Sequence, residues 1–92
     1  MPDLYTLNPE KIVLYGVSWC GDCRRARRLL ATEQIQYLDI DIEQDQQAAD
    51  FVKQQNNGFQ SVPTIIFPDG STLIEPDNAT LLEKLKPFQA TA

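Results

Sequence analysis

Histidine is absent from this chain of 92 residues. That removes the commonest general base near neutral pH and the commonest metal ligand. No run of 18 or more apolar residues occurs, which argues against a transmembrane helix. A positive balance is also missing: 8 basic residues face 13 acidic ones, for a net charge of −5. Broad nucleic-acid binding, which needs a basic surface, is therefore disfavoured. The N-terminal Met1-Pro2-Asp3-Leu4 has neither the basic nor the apolar region of a secretion signal. A cytoplasmic protein with no membrane partner is the expectation. The length suits one domain, residues 1–92, able to bury a single modest core.

Cysteine is scarce too, but its placement is informative. The only two are Cys20 and Cys23, in Cys20-Gly21-Asp22-Cys23. An apolar run, Ile12 to Tyr15, precedes them, and a segment with helical spacing, Arg24 to Leu30, follows. Two thiols at i and i+3, at a strand-to-helix turn, can close a small disulfide without moving the rest of the chain. The first thiol would face the unpaired N–H groups and positive dipole end of the helix. Such a place favours thiolate, the reactive form.

The chain divides into seven elements. Lys11 to Tyr15 reads as a buried strand after a loose lead-in, 1–10. Gly21 to about Glu33 reads as a helix, with Ala26, Leu29, Leu30 and Thr32 inward. Gln36 to Ile42 alternates as a strand. A second helix spans Glu43 to about Asn57, burying Ala48, Ala49, Phe51 and Val52, and stops at Asn57-Gly58. Pro63 to Phe67 and Ser71 to Glu75 form a hairpin across Pro68-Asp69-Gly70-Ser71. Asp77 or Asn78 caps a last helix, Ala79 to Lys86, with Leu81, Leu82 and Leu85 inward. Pro87 ends it, and the tail to Ala92 is expected to fray. The order β-α-β-α-β-β-α makes an α/β fold. A four-stranded mixed sheet, with a right-handed parallel crossover at its start, is flanked by three helices.

A Cys-x-x-Cys beside a βαβ pattern reads as a redox pair. Zinc needs about four ligands, and one chain cannot supply them from two cysteines and no histidine. An iron–sulfur or zinc site shared by the Cys20 residues of two subunits stays open, as does an inert buried pair. In the redox reading, Cys20 precedes the helix and is the exposed attacker. Cys23, partly covered, resolves the mixed disulfide; resolution by an external thiol is the alternative. Gly21 permits the tight turn. Asp22 modulates the pair by raising the thiol pKa, and Arg24, Arg25, Arg27 and Arg28 act the other way. The arginines are either solvated surface or, at Arg24 or Arg27, a recognition point for a substrate carboxylate. Trp19 is either core filling or the wall of a docking groove. Val62-Pro63 opens a strand; from the dipeptide alone, a trans bond is the usual outcome.

Tyr15-Gly16-Val17-Ser18-Trp19-Cys20-Gly21-Asp22-Cys23, together with Ser61-Val62-Pro63-Thr64, resembles the glutaredoxin family of the thioredoxin superfamily, over roughly residues 11–86. The resemblance implies a minimal thioredoxin-like fold and thiol–disulfide oxidoreductase activity with no bound cofactor. It implies a cis bond at Pro63, Cys20 as nucleophile and Cys23 as resolving thiol. Val62 would hold the cysteinyl part of a low-molecular-weight thiol, with Gln60 a polar contact to it. Three departures stand out. Gly-Asp lies between the cysteines, where many members have Pro-Tyr or Pro-Phe. Val17 replaces a frequent Lys. Ile74-Glu75-Pro76-Asp77-Asn78 replaces a Gly-Gly-acidic stretch, so that only Asp77 and its helix start retain part of a carboxylate site. The stretch Val62 to Leu73 looks more like the mycoredoxin and thioredoxin-reductase-linked branch. The implied electron sources are glutathione, mycothiol or thioredoxin reductase. The implied partners are disulfide-containing proteins and mixed disulfides, with a monomer as default.

Overall fold

The computed structural model describes residues 4–88; the expected fraying tail from Gln89 onward lies outside them. The elements are β1 (Ile12–Gly16), α1 (Gly21–Thr32), β2 (Tyr37–Asp41), α2 (Gln46–Gln55), β3 (Thr64–Ile66), β4 (Thr72–Ile74) and α3 (Asn78–Leu85), followed by a 3-10 turn at Lys86–Phe88. The strand order is β2-β1-β3-β4. β1 runs parallel to β2 and antiparallel to β3, and β3 runs antiparallel to β4. No helix among the described residues is long and apolar enough to cross a membrane.

The uninterrupted apolar run of β1 follows from its place inside the sheet, where both faces are covered. Its odd positions, Val13 and Tyr15, point to a core built with Ala48, Ala49, Phe51 and Val52 of α2. Its even positions, Ile12 and Leu14, point to a second core with Ala26 and Leu30 of α1 and Leu81 and Leu85 of α3. The sheet is thus the middle of three layers, with α2 on one face and α1 and α3 on the other. β2 lies at the sheet edge and alternates as its sequence does: Leu38 and Ile40 join the first core, Tyr37 the second. Each fully buried Leu or Ile contributes about 1.5–3 kcal/mol.

Several local expectations are corrected. Thr32 is exposed, and Leu82 is 38% exposed. The buried stripes are 23/26/30 on α1 and 81/85 on α3. α2 starts at Gln46 rather than Glu43, because Asp45 caps it by accepting the N–H of Ala48 at 3.1 Å. Residues 43–44 instead turn around Asp41, whose Oδ1 accepts from the N–H of Glu43. The lead-in is not loose over its described part. Leu4 and Tyr5 pack against the first core. The Tyr5 N–H donates to the hydroxyl of Tyr15, and the Tyr5 hydroxyl donates to Asp45. The segment therefore pins the start of α2.

Candidate active site

Three loops meet at the end of β1: residues 17–20, the stretch 57–63 before β3, and the stretch 75–77 before α3. Cys20 is the N-cap of α1, in extended backbone geometry (φ −86, ψ 124). Its carbonyl accepts the N–H of Arg24 at 3.1 Å. Its sulfur accepts the N–H of Cys23 at 3.4 Å, where a cap usually puts a serine or aspartate oxygen. The sulfur therefore lies at the positive end of the helix and is partly exposed. Gly21, the first helical residue, has open space where a side chain would project and no positive φ. The turn does not require glycine there, contrary to the expectation from sequence.

Cys23 is the third residue of α1 and 0% exposed. Burial pushes its thiol up to about 11. A hydrogen bond with Cys20 and the charge on Cys20 push the same way, while the Val17 backbone and the Arg27 guanidinium oppose them. The two thiols are thus unequal in the sense the sequence suggests: an accessible sulfur outside and a covered one behind it.

Val62-Pro63 is cis. Val62 packs against the same core as Cys20 and Cys23. Among the described residues, the N–H and C=O of Val62 form no hydrogen bond. The Pro63 carbonyl, by contrast, accepts the N–H of Glu75 at 2.8 Å. The loop is held from behind by the buried side chain of Thr64. Its hydroxyl donates to the Ser61 carbonyl at 2.7 Å and accepts from Asn56 Nδ2 at 3.3 Å. Asn56, which closes α2, also donates to the Val52 carbonyl. The end of α2 and the start of β3 thereby fix the loop between them.

The other sequence-predicted residues spread around this centre. Trp19 is 68% exposed, its Nε1 donating to Glu43 at 3.0 Å, so the core-filling reading fails. Gln60 is exposed on the 57–63 loop. Beside it Phe59, which sequence reasoning passed over, is 70% exposed. Asp77 caps α3, its Oδ1 accepting from the Thr80 N–H at 2.7 Å. Its hydrogen bonds with Thr80 hold its carboxyl below the usual range, and Arg25 adds to them. Asp22 pairs with Arg25 at 3.2 Å, and Arg25 also donates to the Pro76 carbonyl. Arg24 is exposed. Arg27 is not turned outward to meet a substrate: its Nε pairs with Asp39 and its Nη1 donates to the Val17 carbonyl at 3.2 Å. The sequence signal for that inward role was spacing, since Arg27 is four residues beyond Cys23 and so shares its helix face.

Such a site can exchange disulfides: an exposed sulfur, a second thiol one turn behind it, and unpaired backbone groups alongside that can receive an extended chain. Among the described residues, no three metal-binding side chains gather.

Comparison with known proteins agrees with this geometry. Residues 12–72 match the family model for glutaredoxin. A Mycobacterium tuberculosis protein named as a candidate glutaredoxin is 44% identical over 61 residues, 66% of this chain and 73% of that protein. Mycoredoxin 1 of Corynebacterium glutamicum is 32% identical over 62 residues, 67% of this chain and 76% of its own. Among solved structures, glutaredoxin from Archaeoglobus fulgidus superposes with a TM-score of 0.68 at 21% identity, covering 83% of this chain and 86% of that one.

Proposed function

The chain belongs to the glutaredoxin family and is a thiol–disulfide oxidoreductase; from that premise we propose that it works as a dithiol enzyme fed by a low-molecular-weight thiol of the mycothiol type. The observation that carries the reading is the pairing of an N-cap sulfur at Cys20 with a buried thiol at Cys23. The Cys20 thiolate attacks one sulfur of a target disulfide. A mixed disulfide forms, and the first target thiol leaves. Cys23 then attacks Cys20, the intramolecular disulfide closes, and the second target thiol leaves. Two electrons pass to the target. One low-molecular-weight thiol then opens the Cys20–Cys23 disulfide by bonding to Cys20 and freeing Cys23, and a second displaces the first from Cys20 and leaves with it as their disulfide, which restores the two electrons.

Val62 offers its N–H and C=O to the backbone of the incoming cysteinyl group, as an added strand would. Pro63, Trp19 and Gln60 bound the place where that group lies. Asp77 and the start of α3 face its far end, and Asp22 and Arg24 tune the field. Likeness to mycoredoxin 1 supports mycothiol over glutathione. Glu75 and Pro76, where many family members have small residues, support the same choice. A reducing compartment such as the cytoplasm suits two free thiols.

The test is NADPH-coupled turnover of a glutathione mixed disulfide and of its mycothiol counterpart, each with its own thiol and reductase. Turnover is expected with mycothiol and to be weak with glutathione. Cys20→Ser should lower either by roughly three orders of magnitude or more. Cys23→Ser should abolish reduction of protein disulfides while sparing small mixed disulfides. Equal or faster turnover with glutathione would reverse the choice of thiol. Activity retained in Cys20→Ser would remove the mechanism.

A further inference from the structure

The mechanism leaves Cys23 in a difficult position. It must lose its proton to resolve the mixed disulfide, yet it is fully buried, and burial disfavours the charged form. The structure supplies an answer behind it. A Cβ atom built on Gly16 would lie 2.9 Å from the Cys23 sulfur and 3.2 Å from Nη2 of Arg27. Thiol and guanidinium therefore flank one point, kept clear because residue 16 has no side chain. The peptide of Val17 ties them further: its backbone interacts with the Cys23 thiol, and its carbonyl accepts from Arg27 Nη1. Asp39, projecting from β2, fixes the other edge of the guanidinium through Nε at 3.0 Å. A cleft of about 270 Å³, lined by Ser18, Arg27, Asp39 and Asp41, opens onto it.

We propose that Arg27, oriented by Asp39 and the Val17 carbonyl, is the positioning residue that stabilises the Cys23 thiolate during resolution. This rests on the dithiol reading above. An opposite charge within about 4–6 Å favours the ionised form of its neighbour. Among the described residues, no positive charge besides Arg27 acts on the Cys23 thiol: Arg24, next in sequence, is exposed, and Tyr5, in the same core, gives its hydroxyl to Asp45. Cys20, on its own turn, is neutral or negative. Tyr15, from β1, is held neutral by burial. The α2 residues in the same core, Ala48, Ala49, Phe51 and Val52, are apolar. Timing follows from the same contacts. In the free dithiol, charge on Cys20 opposes ionisation of Cys23. Once Cys20 is locked in a mixed disulfide, that opposition is gone and the attraction of Arg27 remains. Cys23 then loses its proton to solvent, its sulfur bonds to Cys20, and the departing thiolate takes up a proton. Atoms and charge balance without a further reactant.

The experiment treats the reduced full chain with 5,5′-dithiobis(2-nitrobenzoate) in stopped flow. The first release of nitrothiobenzoate reports attack by Cys20; the second reports resolution by Cys23. In Arg27→Gln the second phase should slow about tenfold at neutral pH, and its pH midpoint should rise by about one unit, the shift that a nearby charge commonly makes. The first phase should hold its rate, which also shows that the variant is folded. Asp39→Asn should move the second phase in the same direction by less. Arg27→Lys should recover most of it. If both phases slow together, if the midpoint stays put, or if Lys is as poor as Gln, Arg27 is only a structural tether and the proposal falls. A wild-type chain that releases nitrothiobenzoate once, with no second phase, would instead bring down the dithiol reading itself, and this proposal with it.

Discussion

At the scale of single residues, Gly16 and Gly21 reverse the roles a reader of the sequence would give them. Gly21 sits between the cysteines and looks essential, yet it is an ordinary first residue of a helix with free space around it. Gly16 falls just past the strand expected from sequence, Lys11 to Tyr15, and closes β1 in the structure. Its missing side chain, however, leaves the room in which Cys23, Leu14 and Arg27 converge, with 2.9, 3.1 and 3.2 Å to the atoms a methyl group would meet. A contact below 3.0 Å forces something to move, and in a packed core such overpacking costs about 1–3 kcal/mol. Gly16→Ala should lose roughly that much in urea unfolding, and its resolving step should slow because the thiol and guanidinium are pushed apart. Gly21→Ala should be neutral or slightly stabilising, since alanine is the better helix former. Equal stability of Gly16→Ala and wild type would show that the sulfur can give way freely.

Among elements, α2 depends most on a contact the sequence pattern does not display. Asp45 accepts the N–H of Ala48 as a helix cap, and its other oxygen accepts the hydroxyl of Tyr5 from the N-terminal segment. Asp45→Ala should cost about 1 kcal/mol through the lost cap. Combined with Tyr5→Phe it should cost less than the two single changes added together, because both act on one carboxylate; a strictly additive pair in urea unfolding would mean the Tyr5 contact does not matter. Here legibility and its failure have a common cause. β1 and β3 are legible as short apolar runs because both their faces are buried, and the inward face of α2 is legible in Ala48, Ala49, Phe51 and Val52, all of them buried; α1 is legible at Ala26 and Leu30 but not at Thr32, which is exposed. The start of α2 is not legible because Glu43, in an acidic run, resembles a helix start as well as Asp45 does; the turn around Asp41 decides between them. The exposure of Leu82 is not legible either, because a leucine beside an 81/85 stripe is apolar without being buried. At the site, the cysteines were legible from their spacing. Asp39 and Val17, which hold Arg27, were not, since they reach it across the fold from another strand and a loop.

For the whole molecule, three carboxylates act as clamps on different layers, and they share one pH window. Asp45 secures α2 and Asp77 caps α3. Asp69, in the β3–β4 turn, receives Lys84 of α3 at 2.7 Å and the Ser71 N–H at 3.0 Å. Each is held below the usual carboxylate range: Asp45 chiefly by the Tyr5 hydroxyl, Asp77 by Thr80, Asp69 by Lys84. A depressed native pKa means that the unfolded chain binds protons first as pH falls. The stabilisation these groups provide is therefore complete above the unfolded carboxylate pKa, about 4, and is lost as pH falls from there through the native values. Charge works in the same direction. Neutralising the 13 acidic residues leaves 8 basic ones uncompensated, and self-repulsion then favours the open chain. The urea midpoint should hardly change between pH 8 and 5 and should fall steeply between pH 4 and 2. Asp69→Asn should start from a lower midpoint at pH 7 and lose less on acidification, because the proton-linked part of its contribution is already gone. Parallel pH curves for wild type and Asp69→Asn would show that the Lys84 clamp does not govern acid unfolding, and would leave general charge repulsion as its cause.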